Sequence, residues 1–169
     1  MKNKKFIPYA RQNISSLDIK AVEKVLKSEF LTQGNCVDLF EKKIKEYCHA
    51  KYASVVNSGS SALHLSCKAL SLKKNDLVWT TPITFAASAN CALHLGAKID
   101  FVDIDKKTFC MSVESLELKL KFNQLNKKQM PKIIIPVHLA GQSCDMKKMY
   151  YLSRKYNFRI IEDASHAIG

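Results

Sequence analysis

Three short segments hold residue types suited to chemistry. Asn57-Ser58-Gly59-Ser60-Ser61-Ala62 reads as a strand-to-helix turn. Gly59 allows close backbone approach, and Ser60 and Ser61 place N–H groups and hydroxyls at a helix amino end, where the dipole favours an anion, phosphate above all. An ordinary serine N-cap accounts for the same residues. The segment has neither the Gly-x-Ser-x-Gly nor the Walker pattern, so nucleophilic serine and P-loop readings fail. Phe85 follows Thr80-Thr81-Pro82-Ile83-Thr84, just past the carboxyl end of a strand, placed either to stack on a flat ligand or to pack in the core. Asp163 closes the apolar run Ile160-Ile161-Glu162. A carboxylate there costs desolvation energy unless it is paired or hydrogen-bonded, so it is a functional acid or a helix cap. His166, three residues on, is positioned to meet it or its ligand.

The elements that must position these clusters follow from periodicity. Ser15 or Ser16 caps a helix with Val22, Val25 and Leu26 on one face, and a second helix after Gly34 carries Val37, Phe40, Ile44 and Tyr47. Strands are expected at Ala53–Asn57, Leu77–Thr81, Lys98–Asp103, Lys132–Leu139 and Arg159–Glu162. Helices are expected at Ser60–Leu72, Phe85–Leu95 (closed by Gly96), Val113–Phe122 and Met146–Asn157. This alternation predicts an α/β/α layered fold with a mostly parallel sheet, in which ligands gather at the carboxyl ends of strands. All three clusters fall there. Residues 1–14 read as an arm and 15–169 as one incomplete domain, because the last strand has no covering helix after it.

Composition narrows the function. The chain has 169 residues, 47% hydrophobic, with a formal charge of +12. Only Arg11, Arg154 and Arg159 of its 27 cations are arginine, and the lysines are dispersed. That pattern is a solvated surface rather than a nucleic-acid face, and no nucleic-acid partner is expected. No apolar run approaches a membrane span, and the N-terminus lacks a secretory signal, so no membrane partner is expected and the chain should be cytoplasmic. The six cysteines show no Cys-x-x-Cys and read as free thiols. The five histidines have no zinc-like spacing, so no metal site is expected.

A phosphate cradle, an aromatic and a buried carboxylate on successive strand ends suit the phosphate, ring face and ring nitrogen of pyridoxal 5'-phosphate. Together with Leu31-Thr32-Gln33-Gly34, Phe101-Val102-Asp103-Ile104-Asp105, Pro136-Val137-His138-Leu139-Ala140-Gly141 and Glu162-Asp163-Ala164-Ser165-His166-Ala167-Ile168-Gly169, these motifs resemble the DegT-type nucleotide-sugar aminotransferases, of the fold-type I pyridoxal-phosphate enzymes. The likeness covers nearly the whole chain and is greatest to the pseudaminic-acid-pathway branch.

The resemblance implies that Ser60 and Ser61 hold the cofactor phosphate, Phe85 stacks on its ring, Asp163 pairs with the ring nitrogen and His166 lies beside the ring. It aligns Tyr9, Glu29, Phe30, Leu31, Thr32 and Gly59 with nucleotide-sugar contacts. It further implies a homodimer using glutamate and a UDP-4-keto-6-deoxy-hexosamine. The family's Schiff-base lysine belongs beyond the Asp-x-x-His motif, and no lysine here has that context. The chain is therefore expected to be an N-terminal fragment, inactive alone. The alternatives are a sugar dehydratase of the same family or a non-catalytic remnant.

Overall fold

The computed structural model describes residues 6–8, 11–32 and 34–168. The chain forms two compact units, Met1–Val55 and Val56–Gly169. In the first unit, α1 (Ser16–Leu26) starts at a capping box. The Ser15 hydroxyl accepts from the Asp18 amide while the Asp18 carboxylate accepts from the Ser15 amide. Helix α2 (Asn35–Cys48) follows Gly34 and ends where His49 turns left-handed. The strand expected at Ala53–Asn57 is not formed. A strand exists only through a partner ladder, and here the Val55 N–H donates instead to the Glu41 carboxylate at 2.8 Å.

The second unit is built on a four-stranded sheet in the order β2-β1-β3-β4, parallel throughout. Its strands are β1 (Leu77–Thr80), β2 (Lys98–Phe101), β3 (Ile133–Ile134) and β4 (Arg159–Ile160). Strands β3 and β4 are shorter than the apolar runs suggest. Yet the pairing continues past them: Ile161 N–H donates to Ile134, Asp163 N–H to Pro136, and His138 N–H to Asp163. Pro136 has no N–H to give, which interrupts the ladder without separating the chains.

Helices α3 (Gly59–Ala69), α4 (Ala87–Leu93), α5 (Val113–Leu125) and α6 (Met146–Tyr156) cover the sheet. Alternation along the strands sends side chains to opposite faces. Val78 and Ile133 join Leu63, Cys67, Cys91 and Ala92 in the core under α3 and α4. Trp79 and Ile134 join Leu116, Leu120, Met149 and Leu152 under α5 and α6. The expected α/β/α layering with a parallel sheet is what the second unit adopts. Helix α4 is followed by Gly96 at φ +72°, the left-handed position that its sequence context demands. No helix among the described residues is long and apolar enough to cross a membrane.

Candidate active site

The amino end of α3 is built differently from its sequence reading. The N-cap is Ser58, not Ser60 or Ser61. Its hydroxyl accepts from the Ser61 amide at 3.1 Å, and the Ser61 hydroxyl donates to Asn57 Oδ1 at 2.7 Å. Ser61 is therefore engaged in holding the turn rather than presenting a free amide. The amides of Gly59 and Ser60 occupy the first turn, where a helix supplies no partner of its own. A Cβ at Gly59 would lie 3.3 Å from the Ser165 hydroxyl, so the α3 turn and the loop after β4 meet closely.

That loop carries the buried acid. Asp163 is 7% exposed. Its Oδ2 accepts from the Ser88 hydroxyl at 2.7 Å, and its Oδ1 accepts from the Ser165 hydroxyl at 2.6 Å and the Ser165 amide at 3.3 Å. Ser88 is itself fully buried and lies 2.8 Å from the Thr84 hydroxyl. Among the described residues no lysine or arginine pairs with Asp163. Its charge is stabilised by aimed dipoles, which leave it able to answer a cation arriving from outside. A second buried acceptor site fixes the neighbouring loop: His138 Nδ1 accepts from the Cys144 amide, so Nε2 carries the proton and donates to Glu162 at 3.0 Å.

Phe85 is 78% exposed, which settles its sequence reading: it is not core. With Asn57, Ser60, Ser61, His64, Asn90 and others it lines a cavity of about 710 Å³ between α3 and α4. The structure thus brings Ser60, Ser61 and Phe85 to one cavity. Gly59 lies close to Ser165, whose hydroxyl donates to Asp163, and Ser88 of α4 donates to the same carboxylate. Asp163 and the exposed His166 do not line that cavity. The first unit contains Glu29, Phe30 and Leu31 on a separate cavity of about 600 Å³ with Gly34 and Val37. Thr32 is exposed beside it, and Tyr9 lies outside the described residues. Sequence reasoning missed Ser88 and Ser165. Ser88 had a signal: a hydroxyl among Ala87, Cys91 and Ala92 on a buried helix face requires a partner.

The donor set suits a phosphorylated, flat, cationic heterocycle. The amides of Gly59 and Ser60 and the Ser60 hydroxyl stand at a helix amino end suited to an anion, an exposed aromatic offers a stacking face, and a buried carboxylate is paired with no described lysine or arginine. Among the described residues no group of three or more His, Cys, Asp or Glu is arranged for a metal ion.

Comparison with known proteins identifies the family. Residues 12–169 match the profile of the DegT/DnrJ/EryC1/StrS aminotransferase family. The chain is 45% identical over 163 residues to a UDP-4-amino-4,6-dideoxy-N-acetyl-beta-L-altrosamine transaminase of Campylobacter jejuni, covering 96% of this chain and 42% of that protein. It is 36% identical over 166 residues to the GDP-perosamine synthase of Escherichia coli O157:H7, covering 98% and 44%. Among solved structures, an aminotransferase from Psychrobacter cryohalolentis superposes with a TM-score of 0.82 at 31% identity, covering 95% of this chain and 40% of that one. NtdA from Bacillus subtilis, with bound cofactor PMP, gives 0.79 at 31% identity, covering 89% and 33%. The chain spans about two fifths of the length of the curated relatives it matches.

Proposed function

Because the chain belongs to the DegT/DnrJ/EryC1/StrS aminotransferase family, we propose that it forms the cofactor-gripping part of a pyridoxal-phosphate-dependent sugar aminotransferase. The carrying observation is Asp163, buried at the carboxyl end of the sheet, hydrogen-bonded on both oxygens and unpaired with any described lysine or arginine. The Gly59 and Ser60 amides and the Ser60 hydroxyl would bind the cofactor phosphate, joined by Ser61 once its hydroxyl turns from Asn57; Phe85 would cover the ring, Asp163 would hold a proton on the ring nitrogen and His166 would stand by the ring. When bound, the cofactor supplies an electron sink for the carbon that loses its proton. Asp163 sustains that sink by favouring the protonated pyridine over the neutral one.

The activities for which these relatives are named favour amino transfer over dehydration. We assign the whole protein glutamate as donor and a UDP-4-keto-6-deoxy-hexosamine as acceptor, in pseudaminic-acid-type biosynthesis. Tyr9, Glu29, Phe30, Leu31, Thr32 and Gly59 are the nucleotide-sugar contacts of that proposal. The whole enzyme acts in the cytoplasm as a homodimer. The 169-residue chain by itself does not transaminate, since amino transfer requires a lysine at the reacting carbon and none here stands in the family context.

The test is glutamate-dependent amination of the UDP-keto-sugar by the whole protein, with product mass as the readout. Asp163→Ala should lower turnover by orders of magnitude, each tenfold being about 1.4 kcal/mol of barrier, while cofactor binding falls far less. Normal turnover of that variant would rule out the electron-sink role. Loss of a sugar hydroxyl without nitrogen gain would instead establish the dehydratase.

A further inference from the structure

Helices α3 and α4 face each other through small residues, and two of these are cysteines. The sulfurs of Cys67 and Cys91 lie 3.8 Å apart. Both residues are buried, at 0% and 2% exposure, and Cys91 also borders the cavity beside the first turn of α3. A disulfide needs about 2.05 Å between sulfurs, so a relative shift of under about 2 Å brings them into bonding range. We propose that Cys67 and Cys91 are an oxidative modification site, at which a peroxide admitted through the cavity converts the two thiols into a disulfide joining α3 to α4.

The chemistry balances without a further reactant. The Cys91 sulfur attacks one peroxide oxygen and the O–O bond breaks. The departing hydroxide takes the thiol proton and leaves as water, and Cys91 becomes a sulfenic acid. The Cys67 sulfur then attacks the Cys91 sulfur and the S–O bond breaks. The second hydroxide takes the Cys67 proton and leaves as water. The two thiols lose two electrons, and the peroxide gains them.

The two cysteines divide these roles by position and acidity. Cys91 alone of the pair touches the cavity, where peroxide arrives. Its thiol is pushed well up by the hydrogen bond with Cys67 and by burial, so the first step is slow and answers to sustained rather than passing oxidant. The same hydrogen bond lowers the Cys67 thiol, which suits the attacking sulfur of the second step. The other two buried thiols, Cys110 and Cys144, also lie beside each other, but away from the cavity. Cys110 donates to the Gln142 carbonyl and Cys144 to the Val137 carbonyl, and burial, with Cys110 beside it, pushes Cys144 up to about 12. Neither lines the cavity. Cys36 and Cys48 are exposed free thiols, and among the described residues neither is hydrogen-bonded to another cysteine. The bond would tether α3, whose first turn carries Gly59 and Ser60, to the helix whose Ser88 holds Asp163.

The test uses the chain itself, with Cys36→Ser and Cys48→Ser to suppress intermolecular links. Hydrogen peroxide is added under native conditions, remaining thiols are alkylated, and the digest is mapped by mass. The expected result is one dominant linked peptide pair, Cys67 with Cys91, lighter than its two reduced peptides by two hydrogen atoms and separated again by dithiothreitol. In urea the same treatment should give mixed pairings. Recovery of Cys67 and Cys91 as alkylated thiols after native exposure, or of Cys91 oxidised to sulfinic acid with Cys67 untouched, overturns the proposal. So does a native link between Cys91 and either Cys110 or Cys144, or a dominant Cys110–Cys144 link with Cys67 and Cys91 left reduced. The mapping is made on native cysteines at both positions, so it does not depend on a Cys67 or Cys91 variant folding.

Discussion

Helices α2 and α6 are equally amphipathic by sequence, and the structure treats them in opposite ways. Helix α6 buries Met149, Leu152, Ser153 and Tyr156 against the sheet, whereas α2 buries none of its residues. Val37, Leu39, Phe40 and Tyr47 of α2 remain substantially exposed. An apolar stripe states which face of a helix is to be covered; it does not supply the cover. Helix α6 has β3 and β4 beneath it, with Ile134 and Phe158 completing the cluster. The same difference separates the two candidate sites. The second unit holds Asp163 by hydrogen bonds from two different elements, while Phe30 and Leu31 of the first unit stand exposed at its cavity.

The comparison is broken most forcefully in the core. Leu116→Ala, at a fully buried position of α5, should cost about 2–5 kcal/mol by lost transfer energy and a residual cavity. Urea denaturation read by Trp79 fluorescence measures it, and a loss under about 1 kcal/mol would show that the core under α5 and α6 is loosely packed. Ser88→Ala should come next, at about 1–3 kcal/mol, because it strips one oxygen of a buried carboxylate of its donor. Here Ser88→Thr, which keeps the hydroxyl, should recover part of the loss; a Thr variant no better than Ala would mean that packing, not the hydrogen bond, sets the cost.

Smaller again is the pair between Asp76 and Lys132, 2.7 Å apart. The Lys132 hydrogen bond holds the Asp76 carboxyl below the ordinary carboxylate range. Its folded pKa is therefore lower than the unfolded value of about 3.9. The stabilisation is full above that value, fades as pH falls through it, and vanishes once both states are protonated. Wild type and Asp76→Asn should differ by roughly 0.2–1 kcal/mol at neutral pH and converge in acid, once the folded carboxylate is protonated as well. A gap that persists in acid would detach the effect from the charge. Least of all, Leu39→Ala on α2 should stay within about 0.5 kcal/mol in the isolated chain. A larger loss would show that this face is covered in solution.

Part of the architecture was readable from spacing alone. The switch between periods of two and 3.6 placed the parallel strands and the helices between them, and Ser15 and Gly96 announced their turns. The extended segment after α2 was misjudged, because β-type residues at Ala53–Asn57 say nothing about whether a partner strand lies alongside. The first cluster was legible as an anion site, but its internal wiring was not. Ser58, Ser60 and Ser61 are equivalent as residue types, and only the backbone angle at Ser58, extended at φ −161° and ψ 157°, makes it the cap.

What the sequence determined by itself is therefore local. It set the alternation of helices and strands from α3 onward and the location of the Phe85 and Asp163 clusters past strand ends, since each depends on neighbours along the chain. Tertiary structure alone decided that Ser88 reaches Asp163 across 75 residues, that Cys67 meets Cys91 across 24, and that Phe85 faces outward while Trp79 is enclosed. These follow from how helices settle on a twisted parallel sheet. That settling is fixed by the summed packing of many side chains, so no single stretch of sequence contains it.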